Sequence, residues 1–279
     1  MPKARLIRDF LLARGRPYSY GPDRSQRADL HLPTGDGPHP VVVLIHVGSW
    51  RRRYGKIVMR ALAADLARRG WAVWNIEYRR VGNGGGWPST FTDVAAAIDH
   101  LDGLHPALDM SRVDVLGHSA GGHLALWAAG RERLPSGAPG AIGGRPRVAL
   151  RRAIALAGVC DLAGAYRDWS GGAVRALMGG SPERVPDRYA VGDPLRNVPL
   201  AMPALLVHGV IDETVSVRLS RNYQHAAAAS DARVELVEIE GEAGAHRAHI
   251  DPRGPAWAPV LRWLEQPSVD LRRPATAGD

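Results

Sequence analysis

Hydrophobic and polar positions along the chain switch between two periods. VVVLIH (41–46) is a β-branched run with little polar interruption, the pattern of a strand buried on both faces of a parallel sheet. KIVMRALAADLARR (56–69) follows with helical spacing and stops at Gly70, a residue suited to the position just past a helix. WAVWNIEY (71–78) reads as the next strand and residues 91–104 as a second helix. Four more runs have strand character: VDVLG (113–117), LRRAIALAG (150–158), ALLVHG (204–209) and VELVEI (234–239). Helical stretches near 121–129, 217–229 and 257–264 lie between or after them. This alternation predicts an α/β fold with a mostly parallel central sheet and helices on both faces.

Two segments break the alternation. YSYGPDRSQRADLHLP (18–33) precedes the parallel part and predicts an antiparallel edge of one or two strands. Residues 162–200, rich in glycine and proline, predict a small cap-like insertion over the site. No repeat or linker divides the chain, so residues 1–279 are expected to form one domain, with a frayed polar tail at 268–279.

Composition narrows the partners. Hydrophobic residues at 45% and charged residues at 23% fit an ordinary globular chain rather than a disordered one. No apolar run approaches the ~20 residues of a membrane span. Arg8, Asp9, Arg14 and Arg16 interrupt the N-terminal segment, so no signal peptide is expected. Cys160 is the only cysteine, which excludes an intramolecular disulfide and predicts a cytoplasmic protein. The net charge of +8 raises nucleic-acid binding, but the cations are almost all dispersed arginines, with only Lys3 and Lys56 as lysines. No zinc-finger spacing, RNA-binding aromatic signature or basic helical stripe accompanies them. Neither a clustered His/Asp set for a metal nor a nucleotide or flavin motif is present, so no cofactor is expected. The predicted partner is a small molecule.

The sharpest chemical signal is Gly117-His118-Ser119-Ala120-Gly121, directly after the strand VDVL and directly before a helix. In that context a G-x-S-x-G sequence lifts a serine hydroxyl onto a tight strand-to-helix turn. A serine needs a base, and the base needs an acid to orient it. In this arrangement the acid follows a later strand, and Asp212 stands just after ALLVHG. Glu213 is its neighbour and Asp161 a more distant rival, while His208 on the strand end reads as a packing residue. The base belongs in the loop after VELVEI, where position alone leaves both His246 and His249 open. An oxyanion needs N–H donors in place before reaction. Ala120 supplies one, and Val47 or Gly48 in His46-Val47-Gly48-Ser49-Trp50 the other, with His46 holding the loop. Trp50, Trp87 and Trp169, each in a loop or the insertion, are candidate pocket walls.

With these residues in place the chain resembles the α/β-hydrolase superfamily. Within it, the chain is similar to the small esterase group that includes kynurenine formamidase and bacterial feruloyl/acetyl esterase-like proteins. The likeness runs from about Tyr20 to Trp257 through HVGSWRRRY, EYRRVGNGGGWPSTFTDVAAAIDHL, GHSAGGHLALW and VHGVIDETVSV. The group's catalytic histidine precedes Ile-Asp-Pro by four to six positions. Ile250-Asp251-Pro252 stand at that offset from His246, so the resemblance implies a triad of Ser119, Asp212 and His246, with His249 bordering the pocket. Val47 replaces the loop's first glycine, and Arg247 an aromatic residue after the histidine. The expected activity is hydrolysis of a small carboxylic ester or activated amide through an acyl-enzyme. An acyltransferase or cyclase sharing that intermediate is the alternative, and a silent binding protein a weaker one.

Overall fold

In the computed structural model, which describes residues 15–168, 171–230 and 232–266, eight strands form one sheet. They are β1 (Arg16–Ser19), β2 (Arg27–His31), β3 (His39–Ile45), β4 (Ala72–Ile76), β5 (Leu108–His118), β6 (Leu150–Leu156), β7 (Ala204–Gly209) and β8 (Val234–Ile239). Their order is β1-β2-β4-β3-β5-β6-β7-β8. Pairing is parallel from β4 through to β8, while β1 and β2 add the expected antiparallel edge beside β4.

The unbroken apolar run in β3 has a direct consequence for packing. Val41, Val43 and Ile45 face one layer of the core, and Val42 and Leu44 the other, all fully buried. Each such side chain contributes roughly 1.5–3 kcal/mol by leaving water. On the Val42 side pack α1 (Arg60–Arg68) and α8 (Trp257–Glu265), through Leu62, Leu66, Trp257 and Val260. On the Val43 side pack α2 (Ser89–Asp99), α3 (Ala120–Ala129) and α7 (Val217–Ala228), through Val94, Leu124, Trp127 and Tyr223. Gly70 ends the helical segment with φ +98°, as its position implied.

Residues 162–200 depart from strand–helix alternation. They form three short helices, α4 (Leu162–Arg167), α5 (Gly171–Met178) and α6 (Pro186–Gly192), and a 3₁₀ turn at Pro194–Asn197. Asp193 ties them together, its carboxylate accepting from the N–H groups of Leu162, Ala163 and Leu195. The tail at 268–279 and Trp169 lie outside the described residues. Among the described residues no helix is long and apolar enough to cross a membrane.

Candidate active site

The turn between β5 and α3 is forced by sterics. Ser119 sits at φ 57° and ψ −118°, a backbone region that costs a non-glycine residue on the order of 1–3 kcal/mol. Its flanking glycines make the turn possible. A Cβ on Gly117 would lie 2.0 Å from the Gly121 oxygen, and one on Gly121 would lie 2.1 Å from the Ile45 oxygen. The Ser119 N–H donates to the Leu156 carbonyl at 2.8 Å, which fixes the turn to the neighbouring strand. Its hydroxyl has no hydrogen-bond partner among the described residues, and the serine lines a small open cleft. Ser49, Trp50, Ala120, Val159, Ala173, Thr214 and Val215 complete the cleft walls.

Asp212 and His246 come together although they leave different strands. His246 Nδ1 lies 2.7 Å from Asp212 Oδ2. The other oxygen, Oδ1, accepts from the N–H groups of Thr214 (2.8 Å) and Val215 (2.9 Å). Burial pushes the Asp212 carboxyl up, but bonding to His246, the charge of that ring and the two N–H donors outweigh it and leave the carboxyl lowered. A carboxylate acceptor sets Nδ1–H as the donor, so Nε2 of a neutral His246 carries the lone pair. His118, the residue before the serine, donates from Nε2 to the His246 carbonyl at 2.9 Å. The turn that holds the nucleophile therefore also holds the backbone of the base. His118 is fully buried, and burial together with the neighbouring His246 and His249 rings drives its protonation well down.

The loop after β3 takes three consecutive left-handed residues, Gly48 (φ 138°), Ser49 (φ 49°) and Trp50 (φ 55°). Four contacts hold it from behind. His46 places Nδ1 2.7 Å from the Val47 carbonyl and Nε2 2.7 Å from Glu77 Oε1. Its ring stacks on Tyr78 at 4.3 Å, and the Tyr78 hydroxyl donates to the His46 carbonyl. The N–H groups of Val47, Gly48 and Ala120 have no acceptor among the described residues. Unpaired donors beside a serine hydroxyl are what a developing oxyanion requires.

The remaining candidates fall in distinct places. Trp50 is buried and forms part of the cleft wall. Trp87 does not line the cleft and packs edge-on against Phe91 at 5.2 Å. His249 is fully buried behind His246, donating from Nδ1 to the Ala245 carbonyl and stacking on His118 at 6.2 Å. Asp161 caps α4 by accepting from Gly164 N–H, Glu213 is exposed, and His208 is held between Ser220 Oγ and the Val215 carbonyl. Sequence reading passed over His123, whose ring touches Trp50 in the buried layer behind the cleft. Its only signal was an imidazole on an otherwise apolar helix, AGGHLALWAA. Among the described residues no group of three His, Cys, Asp or Glu side chains could hold a metal ion.

The family model BD-FAE matches residues 28–226, which takes in the serine turn, the loop after β3 and Asp212. The chain belongs to the BD-FAE family. It is an enzyme of the α/β-hydrolase fold, and structural comparison agrees on the architecture. A truncated carbohydrate esterase from gut microbiota superposes with TM-score 0.76 at 21% identity, covering 90% of this chain and 96% of that one. Esterase B from Lactobacillus rhamnosis gives 0.75 at 19% identity, covering 94% and 90%. The propionate-bound esterase Est2 from the Planctomycetes species Thermogutta terrifontis gives 0.69 at 21%, covering 90% and 91%. At these identities the likeness is one of fold. No curated protein matches the sequence.

Proposed function

We propose that this BD-FAE member is a serine esterase acting on small carboxylic esters or activated amides. The observation that carries the reading is the 2.7 Å Asp212–His246 contact, with the Asp212 carboxylate held by the N–H groups of Thr214 and Val215, two residues that line the same cleft as Ser119. In this mechanism Ser119 Oγ attacks the carbonyl carbon as its proton passes to His246 Nε2. Negative charge gathers on the carbonyl oxygen, facing the N–H of Ala120 and that of Val47 or Gly48, each donor contributing about 3 kcal/mol. The C–O or C–N bond breaks as Nε2 returns the proton to the leaving group. Water then attacks the acyl-enzyme by the same route, and the acid is released.

Labelling with a fluorophosphonate and turnover of p-nitrophenyl acetate test the assignment together. Ser119→Ala should abolish labelling and lower kcat by a factor on the order of 10^6. Labelling of Ser119→Ala at wild-type stoichiometry would overturn it. A labelled wild-type enzyme that passes its acyl group to an added alcohol or amine faster than to water would indicate the transferase instead.

A further inference from the structure

A tryptophan in left-handed backbone needs something to hold it there. Trp50 follows Ser49, also left-handed, and its indole is buried. The indole Nε1–H donates to His123 Nδ1 at 3.1 Å, and the two rings meet edge to face at 5.3 Å and 88°. The other nitrogen, Nε2, lies 2.8 Å from the Gly192 carbonyl at the end of α6. Nδ1 accepts and Nε2 faces an acceptor, so one neutral tautomer satisfies both bonds. Burial drives the protonation of this ring down to about 4, partly offset by the Gly192 carbonyl, so neutral pH leaves that tautomer intact. Phe91 also meets the imidazole edge to face, at 5.7 Å.

His123 thus joins three parts of the site: the loop bearing the unpaired N–H donors, the helix that begins at the nucleophile, and the helices of residues 162–200. We propose that His123 is a positioning residue that acts through Trp50, fixing the Ser49–Trp50 wall and with it the aim of the Val47 and Gly48 N–H groups. This rests on the esterase reading above. Its chemistry is a neutral acceptor held at one point in a dry site. An apolar replacement leaves the indole N–H without a partner and lets a strained loop relax toward ordinary backbone. A displacement near 1 Å at such a loop lowers rate by up to about a hundredfold. Because the donors bind charge that grows in the transition state, kcat should fall and KM should change little.

The test is a double-mutant cycle on p-nitrophenyl acetate hydrolysis with His123→Phe and Trp50→Phe, each change removing one end of the bond. Each single variant should lower kcat by about ten- to a hundredfold, with KM within about threefold. The double variant should be no worse than the poorer single one. His123→Asn places an amide oxygen where Nδ1 stood and should restore kcat to within about fivefold, whereas His123→Gln, which reaches only toward Gly192, should not. Affinity for a phenylboronic acid, which places a charged oxygen in the same hole, should weaken in parallel with kcat. Multiplicative losses in the cycle, or a His123→Phe enzyme that is less stable yet retains wild-type kcat and boronate affinity, would overturn the proposal. Should His123→Phe fail to fold, Trp50→Phe with unchanged kcat and boronate affinity overturns it equally. Fluorophosphonate labelling of the wild type separates the two readings: an unlabelled wild type sinks the esterase assignment, while a labelled one with multiplicative losses sinks only this inference.

Discussion

At the scale of single residues, Asp212 shows how one carboxylate commits a histidine to a task. Oδ1 is occupied by two backbone N–H groups and Oδ2 by His246. In Asp212→Asn the amide oxygen takes the two N–H donors, so the NH2 group faces His246 and forces Nδ1 to become the acceptor. Nε2 then carries the proton and has no lone pair for the Ser119 hydroxyl. We expect a folded protein with kcat lowered roughly 10^4-fold, checked by steady-state kinetics beside a thermal melt. His246→Ala should cost about as much as the loss of Ser119, since the three groups act as a unit. His249→Ala removes a ring that packs on His118 and His208 without reaching the cleft. It should lower Tm by several degrees while reducing activity about tenfold or less. An inactive His249→Ala enzyme beside an active His246→Ala enzyme would reverse the two roles.

At the scale of elements, the cleft is assembled from five separate parts of the chain. Its walls come from the loop after β3, the β5–α3 turn, Val159 after β6, Ala173 on α5, and Thr214–Val215 before α7. Only short side chains and one indole line it, so the acyl group it accepts should be small. Across p-nitrophenyl esters from acetyl to palmitoyl, kcat/KM should peak at the short end, and Val215→Ala should move the peak outward by one or two carbons. A palmitoyl optimum would contradict this. The parts differ in how much of them the chain announces locally. The serine turn was legible because its requirement is short-range: two glycines whose absent Cβ atoms admit the crossing backbone. Asp212 was legible because acids follow strand ends in this topology. The choice between His246 and His249 was open on position, since both leave the same loop; the Ile-Asp-Pro offset of the resemblance favoured His246, and packing separates the two, one ring bonded to Asp212 and the other set against His118 and His208. The left-handed Ser49–Trp50 pair was not legible, and its tie to His123, which spans 73 residues, left no sign beyond an imidazole on the otherwise apolar helix AGGHLALWAA.

At the scale of the whole molecule, the sheet and its helices bury several imidazoles whose protonation is held down, and this sets how the fold responds to acid. Burial lowers His31, His123 and His208 from the ordinary 6.5 to about 4, the Gly192 and Val215 carbonyls only partly offsetting it for the latter two. His118 moves in the same direction. In the unfolded chain these rings take up protons near 6.5, whereas in the folded chain His31, His123 and His208 stay neutral until the pH is near 4 and His118 also protonates only well below 6.5. Below 6.5 the unfolded state therefore binds more protons, and stability falls as the pH drops from about 6.5 toward 4. Each ring contributes at most about 1.4 kcal/mol per pH unit over that window. Asp193 works the other way. Burial raises its carboxyl to about 6 despite its N–H donors, so its uptake of a proton in the folded state adds stability as pH falls below 6. With His249, which burial also lowers, five rings outweigh one carboxyl. Calorimetric Tm should accordingly drop between pH 7 and pH 5, before most carboxylates titrate, and reach its steepest slope between 6 and 5. In His31→Phe, which removes one of these rings from β2 far from the cleft, the same scan should show a shallower fall with activity retained at pH 7. A Tm that is flat or rising from pH 7 to pH 5 would mean the buried rings are already charged, or reach water, in the native fold.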